Sequence, residues 1–155
     1  MIKSDKHYLT PLNDEYATCE RTKAVLRIHC GDATPASITA TLNIEPSETV
    51  EVGVRGKRQG DNAGPIGKVN LWMLDSENNV QSRDLRRHID WLLDKLEPAG
   101  PQIRSLQNAG IVIDVWCVWW SKTGQGGPTL WPKQMHRMAS LDLEFSVDFA
   151  YFGED

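Results

Sequence analysis

The chain has 155 residues, 40% of them hydrophobic and 25% charged, and a formal net charge of −4. This suits one domain with a sizeable core and excludes wholesale disorder. The mildly acidic balance gives no general attraction to phosphate backbones, which speaks against a nucleic-acid partner.

The N-terminus, Met1-Ile2-Lys3-Ser4-Asp5-Lys6-His7, has no apolar segment of the secretory kind, so a cytoplasmic setting is expected. Residues 1–21 read as an irregular, loosely docked arm and residues 22–155 as a single domain. The first clear strand is Lys23–Cys30, with Ala24, Leu26, Ile28 and Cys30 on one face. Thr34-Pro35 then starts a helix whose inward face is Ile38, Thr41 and Leu42, and Pro46 prevents its continuation. Thr49–Val54 alternates with Val50, Val52 and Val54 on one side. Residues 55–68 read as an exposed, Gly-rich loop, and Val69–Leu74 as the next strand.

Ser82 is the expected cap of the longest helix, which runs to about Glu97 with Leu85, Ile89, Leu92, Leu93 and Leu96 as its stripe. A short helix follows, with Ile103 and Leu106 inward and Gly110 as its stop. Ile111–Trp120 is the longest apolar run. It is broken by Asp114 and falls short of a membrane span by about half. It reads as a central strand covered, at least in part, on both sides. After a Gly-rich loop, Pro132 opens the last helix, with Met135, Met138 and Ala139 inward. Leu143, Phe145, Val147, Phe149 and Tyr151 then alternate along a half-buried terminal strand.

The resulting order, β-α-β-β-α(α)-β-α-β, predicts an α+β fold. Its first six elements follow the ferredoxin-like, split β-α-β order, and an additional helix and strand complete a mixed sheet of about five strands with helices mainly on one face. Thr34–Val54 and Trp131–Tyr151 match at an offset of 97 positions. Any two β-α-β units share that periodicity, and we read the likeness as periodicity rather than duplication.

Several local patterns, in order, resemble a bacterial family known only as domain of unknown function 4279. They are Gly31-Asp32 with Thr34-Pro35, Ile38-Thr39, Leu42, Ile44 and Pro46; Leu71-Trp72-Met73-Leu74-Asp75-Ser76; Leu92-Leu93-Lys95-Leu96-Glu97-Pro98; and the aromatic strand, Gly126-Gly127 and Pro132. Together they span residues 22 to 152. The resemblance implies a small intracellular domain and no particular reaction. The family's usual small polar residue before the last helix is replaced here by Trp131.

The tryptophans are the most unusual feature. Period two sends Trp116 and Trp120 to one side of their strand and Trp119 to the other. Trp120, the Gly126-Gly127 loop and Trp131 are candidates for a pocket or partner surface, with Asp114 as a polar anchor; the competing reading is core filling. Asp114 could equally form an ion pair with Arg27 of a neighbouring strand. Trp91 lies off the Leu stripe and is a candidate dimer contact. His29, Cys30, Asp32 and Cys117 suggest a nucleophile or metal, but His29 and Cys30 face opposite ways and two thiols are an incomplete zinc shell. Cys19, Cys30 and Cys117 are odd in number and sparse, as reduced thiols are. Arg55-Gly56-Lys57-Arg58 and Arg83, Arg86 and Arg87 form two basic groups, read as solvated faces.

The expectation is therefore a non-catalytic binding or protein-interaction module without a cofactor, inhibitor- or immunity-like or self-associating. Its contacts would be the terminal strand, Trp91 or the tryptophan loop. The alternative is a small-molecule enzyme with a pocket near Cys30, Asp32, Asp114 and Cys117.

Overall fold

A computed structural model describes residues 7–57 and 64–153. The first six residues of the expected arm, residues 58–63 of the expected loop with Arg58, and the last two residues lie outside the described residues. Five strands, β1 (Cys19–His29), β2 (Glu48–Val50), β3 (Leu71–Asp75), β4 (Val112–Ser121) and β5 (Glu144–Tyr151), form one sheet in the order β2-β3-β1-β4-β5. Four helices accompany them: α1 (Pro35–Leu42), α2 (Leu85–Leu96), α3 (Gly100–Asn108) and α4 (Pro132–Ser140). β4 and β5 pair in parallel and the other neighbours antiparallel, so the sheet is mixed and the fold is α+β. β3 separates β1 from β2, whereas α4 joins the adjacent strands β4 and β5. The two segments that look alike in sequence thus close differently.

Helix boundaries follow from capping. Thr34 Oγ1 accepts the Ser37 N–H at 3.2 Å, Pro35 occupies the first turn, and Asn43 ends α1 at φ +55°. The inward face of α1 is Ile38 and Leu42 with half-buried Thr39, whose Oγ1 accepts the Trp72 indole N–H at 3.0 Å. Thr41, expected inward, is exposed and donates to the Ser37 carbonyl instead. Asp84, not Ser82, caps α2: its Oδ1 accepts the Arg86 N–H, while Ser82 Oγ accepts the Asp84 N–H one step earlier. α3 ends where Gly110, at φ +87°, lets the Ile111 N–H turn back to the Leu106 carbonyl. On α4 the buried residues are Gln134 and Met138, and Met135 and Ala139 face water. Gln134 can turn inward because Asp90 of α2 accepts both of its short contacts, at 3.1 and 3.3 Å.

One sheet face is covered by helices. Ala24, Leu26 and Ile28 of β1, Ile113, Val115, Cys117 and Trp119 of β4, and Trp72 and Leu74 of β3 form a single buried cluster with Ile38, Ile103, Met138 and the Leu85–Leu96 stripe. Strand registry puts Arg21, Lys23, Arg27, Asp114, Trp116, Val118 and Trp120 on the opposite face. Among the described residues that face carries no helix layer, so there β4 is not covered on both sides. The expected strand through Val54 stops at Val50, because Gly53 at φ +78° turns the chain and leaves Val52 and Val54 exposed. Along β5 the apolar face is half-buried at Phe145 and Val147 but about half exposed at Phe149 and Tyr151. Among the described residues no helix is long and apolar enough to cross a membrane.

Candidate functional site

The open face of the sheet carries a groove of about 410 Å³. Trp116, Val118 and Trp120 alternate along β4 and form its floor and ends. Registry sets Lys23 of β1 and Asp148 of β5 on either side of Val118, and Arg21 and Ala150 on either side of Trp120. Ala150 is small, so the Trp120 ring has room beside it. Both indoles are half-buried, held by neighbours within the sheet. The Arg21 guanidinium lies 4.9 Å from the Trp120 ring centre and that of Arg27 5.3 Å from Trp116. Trp116 Nε1 donates to Asp148 Oδ2 at 3.0 Å, which fixes that ring against β5. Phe152, beyond the end of β5, meets Trp120 edge-on at 5.6 Å.

The charges of this face are mostly paired across strands. Lys23 Nζ reaches Asp75 at 2.8 Å and Glu77 at 3.4 Å, and Arg21 also pairs with Glu77. Arg27 grips Asp114 with two hydrogen bonds, and His29 Nε2 stands 3.2 Å from the same carboxylate. Asp114 hydrogen bonding and its charge raise the already high pKa of Arg27. Asp114 is thus the ion-pair partner of Arg27 rather than a polar anchor inside the groove.

Trp131 lies elsewhere. It is buried at the N-terminus of α4 and stacks on Tyr8 at 5.2 Å, while its Nε1 donates to the Thr10 carbonyl at 3.2 Å. An indole cannot accept, so only half of the usual reciprocal cap forms here: Gln134 Oε1 accepts the Trp131 backbone N–H at 2.9 Å. Arg86 covers the Trp131 ring at 4.6 Å. Its guanidinium also takes both oxygens of Asp84, at 2.8 and 2.6 Å, and the carbonyls of Thr10 and Pro11, at 2.6 and 3.0 Å. Asp84 Oδ2 accepts the Asn13 N–H as well. Arg86 is fully buried, which removes it from the basic surface group expected with Arg83 and Arg87. The described part of the arm is therefore stitched down rather than loosely docked.

The tryptophan loop belongs to this second region too. Gly127 O and Thr129 Oγ1 both lie 2.8 Å from the Tyr16 hydroxyl. Gly126 sits at φ +84°, where a Cβ would collide with Thr18. Gly126 and Gly127 therefore seat the arm instead of lining the groove with Trp120. Trp91 is half-buried against the core, with Lys95 Nζ 5.9 Å from its ring centre.

No cleft gathers the residues of the enzymatic alternative. Cys117 points into the core and Asp114 to the open face, while Asp32 is exposed in the turn after β1. All three thiols are unpaired and buried. Burial pushes the Cys19 thiol up to about 11 and raises those of Cys30 and Cys117. This is the opposite of nucleophile activation.

Two polar positions, one buried and one half-buried, escaped sequence reading. His88 Nε2 lies 2.7 Å from the Ser82 carbonyl, so it donates there. Nδ1 then accepts from Ser76 Oγ at 2.7 Å, and Ser76 Oγ accepts the Ala24 N–H at 2.9 Å. The site is closed to solvent, and burial lowers the pKa of its imidazole. Arg137 of α4 binds Asp90 and Asp94 of α2 and Glu97 just beyond its end, at 3.1, 2.6 and 2.5 Å. Only the i, i+4 acidic spacing of Asp90 and Asp94 hinted at that clamp.

A family model described as a domain of unknown function (DUF4279) matches residues 20–152. No curated protein and no solved structure matches the chain.

Proposed function

Because the chain belongs to the DUF4279 family, whose description assigns no activity, we propose from geometry that it is a non-catalytic binding module whose protein partner docks on the open face of the sheet. One observation carries this reading. Trp116 and Trp120 stand half-buried, each with part of its ring open to solvent, at the two ends of a Val118 floor, on the face that no helix covers among the described residues. A large apolar ring left in water is costly, and paired Trp and Arg side chains are typical anchors of protein interfaces. Arg21 and Arg27 lie over these two rings and supply that pairing. Catalysis is not supported at the same place. Lys23 is already held by two carboxylates and Asp148 by an indole N–H, so no free acid–base pair faces the groove. A cytoplasmic setting fits the three buried, unpaired thiols. An acidic net charge and cross-strand pairing of the basic residues argue against a nucleic-acid partner.

The test is affinity capture from native extract with the wild-type chain and the W116A/W120A variant, after circular dichroism and a cooperative unfolding transition above the capture temperature show that both are folded. A protein held by the first and lost by the second, with the same difference once purified, supports the reading. Equal capture by both, or none by either, overturns it.

A further inference from the structure

The groove leaves one part of the sheet unused, its outer edge at β5. We propose that β5 pairs with β5 of a second copy, antiparallel about a two-fold axis, in the register that sets Val147 opposite Val147. The strand is the last in the sheet and has one neighbour, β4. Among the described residues no further backbone hydrogen bond reaches it. An edge with free N–H and C=O groups is a template for another strand. Its apolar face also runs past its cover: Phe149 and Tyr151 are 48% and 49% exposed.

Charge chooses the register. In an antiparallel pair, residues directly opposite point to the same side, so the helix-facing residues of both copies must oppose one another. Centring the axis on Asp148 sets Asp148 against Asp148. Centring it on Ser146 sets Asp148 against Glu144. Centring it on Phe145 brings Asp142 against Asp148. Like charges directly opposite are destabilising. The Val147 register opposes no two carboxylates over Glu144–Ala150. It matches Val147 with Val147, Phe145 with Phe149 twice, Glu144 with Ala150, and Ser146 with Asp148. The last pair lets a hydroxyl donate to a carboxylate, and the phenylalanine pairs are among the favourable cross-strand contacts. The register centred on Phe149 also avoids opposed carboxylates, but it overlaps only over Val147–Tyr151.

A strand of this length presents an edge roughly 27 Å long on a sheet about 10 Å thick. Two such edges bury less than the about 1,000 Å² of a robust interface, so the dimer is weak and depends on concentration.

Sedimentation from low micromolar to near-millimolar protein should show a monomer–dimer equilibrium. Ser146 is exposed, so its replacement spares the fold. S146K places two lysines opposite two Asp148 carboxylates and should tighten association, and S146D should weaken it, each by roughly two- to thirtyfold. V147C should form an interchain disulfide under mild oxidation and S146C should not, because its Cα atoms would be offset along the strands beyond about 7 Å. A monomer at every concentration, equal shifts for S146K and S146D, or equal cross-linking at 146 and 147 would overturn the proposal. W116A/W120A should leave the dimer intact, so this test and that of the groove fail separately.

Discussion

Arg27 and Asp114 face each other directly across the β1–β4 pair and are joined by two hydrogen bonds, Nε to Oδ1 at 3.1 Å and Nη2 to Oδ2 at 2.5 Å. Asp114 is buried and the Arg27 side chain is 30% exposed. Breaking a partly buried pair leaves one charge uncompensated, whereas removing both charges restores an apolar strand pair. D114A should therefore cost about 1–3 kcal/mol, discounted for the exposure of Arg27. R27M/D114L should lie closer to wild type than D114A does. Urea titrations of wild type, R27M, D114L and R27M/D114L, with D114A beside them, check it, and additive effects in that cycle would show that the pair is not coupled.

Arg86 should prove far more costly to replace than its surface-like sequence position suggests. R86M leaves Asp84 buried without its cation and frees the carbonyls of Thr10 and Pro11. A loss of about 3–5 kcal/mol is expected, the range for breaking a buried pair. The arm should detach before the core unfolds, since its docking runs through this guanidinium. Limited proteolysis should then cleave R86M within residues 8–18 under conditions that leave wild type intact. Cleavage elsewhere first would show that the arm is held by other contacts.

The four tryptophans of the β4 region should separate by stability alone. Trp119 is fully buried, stacks on Phe149 at 5.8 Å and meets Tyr16 edge-on at 6.1 Å. W119A should cost about 3–5 kcal/mol. W116A and W120A, on the open face, should each cost about 1–2 kcal/mol, since both rings are only half-buried. W131A removes both a stacked ring and an arm anchor and should resemble W119A. Thermal midpoints in that order would place the site and core tryptophans where the structure does; a large loss at Trp120 would make it a core residue.

These assignments show how far the sequence could be read. The Leu85–Leu96 stripe was legible because apolar burial forces a 3.6-residue period onto a helix. Trp116 and Trp120 were legible as a pair on one face because strands alternate, but which face stays uncovered depends on where four helices dock. Arg86 and His88 could not be read at all. Their partners, Thr10, Pro11 and Ser76, lie 76, 75 and 12 positions away, and a local pattern assigns a lone polar residue to water. Val52 and Val54 misled because alternation continues through Gly53 while the backbone does not. Trp131 misled for a related reason: its nearness in sequence to the Gly126-Gly127 loop hid its contact with Thr10, 121 positions away.

The three cysteines should be silent in the native protein. A thiol-specific reagent at mild alkaline pH should label none of them rapidly and all of them once the chain is unfolded, because burial both shields each sulfur and disfavours its thiolate. Fast labelling of Cys30 or Cys117 in the folded chain would revive the enzymatic alternative.

His88 should give the fold a distinct pH dependence. Burial pushes its imidazole below the ordinary value of 6.5, against the smaller raising effect of the Ser82 carbonyl, and Nδ1 can accept from Ser76 only while it is unprotonated. The unfolded chain therefore binds the proton more readily than the folded one. Stability from this site is complete above about pH 6.5 and falls as the pH drops below it, with a slope of at most about 1.4 kcal/mol per pH unit for one proton, levelling off beneath the depressed folded value. The other described histidines, His7, His29 and His136, are exposed. H88Q should lower stability at neutral pH, because a shorter amide cannot bridge Ser76 and Ser82 in the same way, and should flatten the slope between pH 5.5 and 6.5. An unchanged slope in H88Q would move the titration to another group.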